Sequence, residues 1–231
     1  MEALIFDCDG VLVDTERDGH RVAFNAAFSE LGLGFEWSVD RYGELLTTGG
    51  GKERMVRHFN ETGWPKNFDD HDGLIALLHK IKTERFTKLI ESGALPLRPG
   101  VARLVDEALV ANIKIAVCST SNEKSVRAIV EQLLGPLRAP KISIFAGDVV
   151  KAKKPDPAIY NLAAVTLGLS PKNIVVIEDS HIGLQAAKAA GMHCVVTMSP
   201  YTAEEDFSLA DHIVEDLDQG IDLAFCKKII G

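Results

Sequence analysis

No stretch of this chain reaches the run of ~20 apolar residues that a membrane-spanning helix requires. Cysteine is scarce, and its four copies (Cys8, Cys118, Cys194 and Cys226) never fall at C-x-x-C spacing, so no zinc site is implied. Three of them lie in or beside apolar runs, as buried free thiols of a reducing compartment would. Positive charge is in deficit, with 25 Lys and Arg against 33 Asp and Glu and a net charge of −8. That balance argues against a nucleic-acid binder, whose affinity rests on neutralising phosphates. A small phosphorylated ligand would need Lys and Arg gathered locally, and such clusters are present. No basic leader precedes the apolar run that starts at residue 3, so no secretory signal is read; a plastid or mitochondrial leader already removed would leave no trace. Internal repeats and low-complexity segments are also missing. The remaining composition, 46% hydrophobic and 25% charged over 231 residues, is that of a soluble protein with one large domain or a domain plus a smaller one.

The chain is organised around Leu4–Asp14. Ala3 to Phe6 reads as a buried strand stopped by Asp7 and Asp9, with Gly10 permitting a turn. Open α/β sheets bind ligands at the carboxyl ends of their strands. Two carboxylates this close repel, which a bound cation would relieve; oxygen ligands suit Mg²⁺, a metal that accompanies phosphate. After Asp14-Thr15-Glu16, read as capping residues, the pattern turns helical without strand alternation. Apolar positions 24, 27, 28 and 31 mark one helix, Val39 to Leu46 a short second, and Thr47–Arg54 opens a third through Phe59. A long fourth carries Leu74, Leu77, Leu78, Ile81, Leu89 and Ile90 on one face.

From Leu97 onward helices and strands alternate. Strands are expected at Ile113 to Cys118, Ile142 to Ala146, Ile174 to Ile177, Cys194 to Val196 and His212 to Val214. One helix should carry Val126, Ile129, Val130, Leu133 and Leu134 after a polar turn at Ser119–Asn122. The pattern predicts an α/β fold: a doubly wound parallel sheet formed by residues 1–15 and 94–231, with a helical insert at 16–93.

Four strand ends carry polar groups: Asp7 and Asp9; Ser119, Thr120 and Ser121; Lys151 to Lys154; and Glu178 with Asp179. Asp7 and Asp179 can hold a divalent cation. Ser119 with N–H groups at a helix start can bind phosphate oxygens, and Lys154 can neutralise charge on a transferring group. Gly49-Gly50-Gly51-Lys52 is not a nucleotide-binding P-loop, because Leu46 replaces the first glycine, Glu53 replaces Ser/Thr and no strand precedes it. It reads as an anion nest at a helix start, reinforced by Lys52 and Arg54 and suited to a second anionic group.

D-x-D-G-V at Asp7–Val11, the hydroxyl at Ser119, Lys154-Pro155 and Glu178-Asp179-Ser180 together resemble the haloacid dehalogenase superfamily, and the insert is similar to its alpha-helical cap domain. The resemblance implies Asp7 as nucleophile and Asp9 as general acid and base. It implies phosphate contacts from Ser119 and Lys154, and Mg²⁺ held by Asp7, the Asp9 carbonyl and Asp179, with Glu178 a further ligand or a residue behind the ligands. Tyr42–Arg54 resembles the cap signature of CbbY-type members, while Cys118–Glu123 and Phe145–Asp148 fit plant and algal ones. Substrate contacts from Glu16, His20, Tyr42, Gly50, Gly51, Lys52, Arg54, Thr120 and Asn122 follow from it, although His20 stands one residue further from Glu16 than in many sugar-phosphate relatives. The implied function is Mg²⁺-dependent removal of the C1 phosphate of xylulose 1,5-bisphosphate, a Rubisco inhibitor. The expected setting is the chloroplast stroma, with bacterial cytoplasm the other option. The expected partner of this monomer is a small phosphosugar, with no nucleic acid and no membrane. A phosphosugar mutase of the β-phosphoglucomutase type shares all four motifs, and a non-catalytic phosphosugar-binding regulator is a third reading.

Overall fold

The computed structural model describes residues 1–48 and 51–231. They divide into two compact units, Thr15–Leu95 on one side and Met1–Asp14 with Pro96–Gly231 on the other. The expected cuts, after residues 15 and 93, fall one and two residues from these.

The Thr15–Leu95 unit is helical. Thr15–His20 is wound as a π-helix and runs into α1 (Arg21–Glu30), followed by α2 (Val39–Leu46), α3 (Gly51–Thr62) and α4 (His71–Glu91). Ser38 and Asp70 cap α2 and α4 by accepting from the N–H groups of Arg41 and Gly73; such caps contribute about 1 kcal/mol each. Glu16, expected as a cap, instead accepts the Tyr42 hydroxyl. Phe24, Phe28, Trp37, Tyr42, Met55 and Phe59 fill the core beside Leu74 and Leu78. Leu77 does not join them: it is 42% exposed, and Ile75 takes its place on the buried stripe of α4. At 100° per residue positions 75 and 77 flank the centre of the 74/78 stripe equally, so helical spacing alone does not choose between them.

The other unit is a six-stranded sheet. Its strands are β1 (Ala3–Phe6), β2 (Lys114–Ser119), β3 (Ile142–Ala146), β4 (Ile174–Glu178), β5 (His193–Thr197) and β6 (His212–Val214). The order is β3-β2-β1-β4-β5-β6, parallel throughout. All four residues of β1 and all five of β4 are buried, which is why these strands read as unbroken apolar runs. The helices are α5 (Val101–Val110), α6 (Glu123–Ile129), α7 (Gly135–Arg138), α8 (Ala158–Leu167), α9 (His181–Ala189) and α10 (Leu223–Ile230). The single helix expected through Leu134 is broken, since Val130–Leu134 winds as a π-turn before the short α7. Helix α10 was not expected from the sequence; Asp222 caps it. Among the described residues no helix is long and apolar enough to cross a membrane.

Candidate active site

The carboxyl ends of β1, β2 and β4 deliver the expected side chains. Asp7 follows β1, its N–H donating to the Ile177 carbonyl of β4 at 2.9 Å, so the chain stays in register with the sheet until it turns. The turn is closed by Gly10 N–H donating to Val13 O at 2.8 Å. Gly10 has φ +79°, the left-handed region that glycine enters without the strain a Cβ brings.

Lys154, on the loop between β3 and α8, is the central cation. Its Nζ lies 2.5 Å from Asp7 Oδ1, 2.6 Å from Glu178 Oε1 and 3.0 Å from the Cys118 carbonyl. The fully buried Tyr160 hydroxyl donates to the same Glu178 oxygen. Glu178 Oε2 accepts from the Asp179 N–H at 3.2 Å and the Ser180 hydroxyl at 3.4 Å. A Cβ at Gly183 in the first turn of α9 would lie 2.0 Å from that Oε2. Glycine there lets the helix close directly over the carboxylate.

The charges in this cluster shape one another. Burial pushes the Asp7 carboxyl up to about 7; Lys154 opposes the rise, while Glu178 and Asp9 add to it. Asp179 is driven well above the usual carboxylate range by burial first, then by Asp7 and Glu178. Burial would lower the Lys154 pKa, but the charges of Asp7 and Glu178 outweigh it and raise the value. Asp7, Glu178 and Asp179 each offer an oxygen within 4.8 Å of the others. Glu178 has both oxygens engaged, whereas no hydrogen bond among the described residues reaches the Asp179 carboxylate. Several buried carboxylate charges against one lysine, with one carboxylate lacking a donor, form a donor set that fits a hard divalent cation.

The Asp9 carboxylate goes elsewhere. Its Oδ2 accepts from the Ser121 hydroxyl at 2.5 Å and lies 3.5 Å from Ser119 Oγ, which itself accepts the Ser121 N–H at 3.1 Å. Ser119 is buried at the end of β2, and Thr120 and Asn122 follow it exposed. The Asn122 side-chain oxygen caps α6 by accepting the Lys124 N–H. Ser121 and Tyr160 were not singled out as site residues in the sequence. Ser121 sits in a recognised polar turn, but Tyr160 shows only as an aromatic among the apolar residues of α8.

The remaining expected residues belong to the helical unit. The Tyr42 hydroxyl donates to Glu16 Oε2 at 2.5 Å and accepts from Arg54 Nη1 at 3.1 Å. Arg54 Nε donates to the Thr48 carbonyl. Tyr42 itself is fully buried, and the Arg54 guanidinium lies 5.7 Å from its ring centroid. Gly51 opens α3, where a Cβ would crowd the Phe24 ring at 3.1 Å, and the next residue, Lys52, is exposed. Gly50 lies outside the described residues. His20 Nδ1 is 3.0 Å from Nζ of Lys82, a cation the sequence reading missed. Lys82 also lies over the rings of Phe24 and Phe86, 5.0 and 5.1 Å from their centroids. His20 is pulled down to about 3 by burial and then by the charges of Lys82 and Arg54; it is therefore neutral and accepts from Lys82.

Relatives carry the same framework. A CBBY-like protein of Arabidopsis thaliana is 61% identical over 236 residues, spanning 99% of this chain and 74% of that protein. The CbbY protein of Cereibacter sphaeroides is 43% identical over 217 residues, spanning 93% of this chain and 92% of that protein. Among solved structures, CbbY from Rhodobacter sphaeroides in complex with xylulose 1,5-bisphosphate is 42% identical, with a TM-score of 0.73 over 97% of this chain and 98% of that one. A Thermotoga maritima protein named for β-phosphoglucomutase superposes as well, at a TM-score of 0.74, but with 25% identity. The family model for haloacid dehalogenase-like hydrolases matches residues 1–191, and this chain belongs to that family.

Proposed function

We propose that this protein is a phosphatase that removes one phosphate from a small sugar bisphosphate, xylulose 1,5-bisphosphate, acting as a monomer with Mg²⁺. The observation that carries the reading is a buried aspartate at a strand end, 2.5 Å from a buried lysine and grouped with a second carboxylate that no donor among the described residues reaches. Asp7 and Asp179, with the Asp9 carbonyl, would hold Mg²⁺, and Glu178 stands behind them, both of its oxygens already engaged. The bound cation supplies positive charge that keeps Asp7 ionised at neutral pH and lessens its repulsion of an incoming phosphate.

An oxygen of Asp7 bonds to phosphorus as the bond from phosphorus to the sugar oxygen breaks. Asp9 gives its proton to that departing oxygen. It then takes a proton from the water that attacks phosphorus, breaking the bond to Asp7 and releasing inorganic phosphate. Ser121 and Ser119 hold the Asp9 carboxylate for both transfers. Lys154 offsets the charge that gathers on the phosphoryl oxygens. In the helical unit Lys52, Arg54 and Lys82, accompanied by Glu16, Tyr42 and His20, give a cluster suited to a second anionic group. Likeness to a plant relative supports a plant source, and the chloroplast stroma is the setting we propose there, which imaging of the tagged full-length protein tests.

The deciding experiment incubates the purified protein and its Asp7→Asn variant with xylulose 1,5-bisphosphate, xylulose 5-phosphate and glucose 1-phosphate. The expected result is Mg²⁺-dependent release of inorganic phosphate from the bisphosphate, lost in the variant. An isomeric sugar phosphate without free phosphate would make it a mutase. Binding without turnover would make it a regulator.

A further inference from the structure

We propose that Arg98 is a positioning residue for the cation site, holding Gly10, the residue after Asp9, against Asp179 through the Gly10 carbonyl. The proposal rests on the reading above in which Asp7 and Asp179 hold the cation.

Arg98 precedes α5 and grips the catalytic turn twice. Its backbone N–H donates to the Leu12 carbonyl at 2.9 Å, and its Nη1 donates to the Gly10 carbonyl. The same Nη1 reaches the Thr197 carbonyl at 3.1 Å and hydroxyl at 3.3 Å, while Nη2 donates to the carbonyls of Met198, at 2.7 Å, and Glu215.

The sheet order gives these contacts their meaning. Gly10 follows β1, Thr197 ends β5 and Met198 follows it, and Glu215 follows β6, whereas β4 lies between β1 and β5. The chain leaving β4 is Asp179. One guanidinium therefore bridges the strands on both sides of the Asp179 strand, and Asp14 and Asp179 are the first carboxylates whose charges act on it. The Asp179 carboxylate has no hydrogen bond among the described residues, although its backbone N–H donates to Glu178, so packing must place that side chain. Gly10 is what it packs on, since a Cβ there would lie 1.8 Å from Asp179 Oδ2. A shift of the Gly10 peptide would pass directly to that carboxylate.

A purely structural role, tethering the C-terminal loop, is already filled by Arg103, which donates to the carbonyls of Leu217 and Ile221. What Arg98 adds is the link to Gly10. The planar fork suits this task, because a lysine ammonium cannot serve acceptors on three separate segments in fixed directions.

The test measures Mg²⁺ binding by titration calorimetry, without substrate, in wild type, Arg98→Gln, Arg98→Lys and Asp179→Ala, with melting curves in EDTA and kcat and KM across Mg²⁺ concentrations. Both Arg98 variants should bind Mg²⁺ roughly 10- to 100-fold more weakly, as loss of a group orienting metal ligands does. Their kcat should recover at high Mg²⁺, with KM for the sugar phosphate little changed. Should Arg98→Gln not fold, Arg98→Lys carries the measurement. Wild-type Mg²⁺ affinity in a folded Arg98 variant, whatever its melting temperature, overturns the proposal, and full rescue by lysine overturns it in favour of a bare charge effect. Wild-type affinity in Asp179→Ala would instead overturn the underlying assignment of the cation site.

Discussion

A carbon added to Gly10 as a side chain would sit 1.8 Å from Oδ2 of Asp179. No contact at that distance can persist, so Gly10→Ala must move either the turn or the carboxylate. The substitution also places a Cβ at φ +79°, which costs about 1–2 kcal/mol by itself. We expect chemical denaturation to show a loss of roughly that size. Turnover should fall by two orders of magnitude or more, at temperatures where the variant is fully folded. Activity falling only in step with the folded fraction would show that the Asp179 position is not critical.

Tyr160 and Lys154 donate to one oxygen of Glu178. Tyr160→Phe removes one donor from a fully buried carboxylate, a change of about 1–3 kcal/mol. Melting temperature should drop, and kcat should fall several-fold more than KM rises, because Lys154 is then held from one side less. Unchanged kcat in a destabilised variant would confine Tyr160 to stability.

Asp7→Asn should abolish phosphate release while leaving the metal-free fold as stable as wild type to within about 1 kcal/mol. Burial disfavours the Asp7 charge, and removing it relieves repulsion from Glu178 and Asp9. The asparagine oxygen can still accept from Lys154, which keeps Glu178 as its charged partner. Denaturation in EDTA, run beside a phosphate-release assay, checks both halves. A large loss of stability would mean the ion pair between Lys154 and Asp7 outweighs the carboxylate repulsion.

These relationships differ in how far the sequence shows them. Strands β1 and β4 are covered on both faces, so burial writes itself into consecutive apolar residues, and Asp7, Ser119 and Asp179 can be found by looking just past each run. The Asn122 cap is equally local, since the residue and the N–H it accepts are two positions apart. The partners that hold these groups are not local. Tyr160 meets Glu178 across 18 residues, Lys82 meets His20 across 62, and Arg98 meets Gly10 across 88. Nothing in the spacing of such pairs distinguishes them from ordinary surface charges or core aromatics. The break after α6 was missed for another reason: Val130, Leu133 and Leu134 keep helical spacing through a π-turn, and only Gly135 marks the change.

Lys82 provides the last test, because its charge is held at a cost to the fold. Burial lowers its pKa to about 8; Glu16 raises it, and Arg54 lowers it further. A depressed pKa means the folded protein binds fewer protons than the unfolded chain between about 8 and 10.5, so stability is lost as pH falls through 8. Lys82→Met keeps an unbranched apolar side chain of similar length beside Phe24 and Phe86 and removes the charge that lies over their rings. It should therefore stabilise the protein at pH 7 by on the order of 1–3 kcal/mol, a gain that shrinks above pH 8 and vanishes near the ordinary lysine value. If the charge binds the second anionic group of a bisphosphate, the same variant should lose roughly tenfold or more in kcat/KM on xylulose 1,5-bisphosphate, the scale of one charge-assisted hydrogen bond. A monophosphate should respond little. In wild type, KM for the bisphosphate should climb as pH rises through about 8, where Lys82 gives up its proton, and the variant should lack that step. A stabilised variant with unchanged bisphosphate kinetics would leave the second anionic group to Lys52 and Arg54.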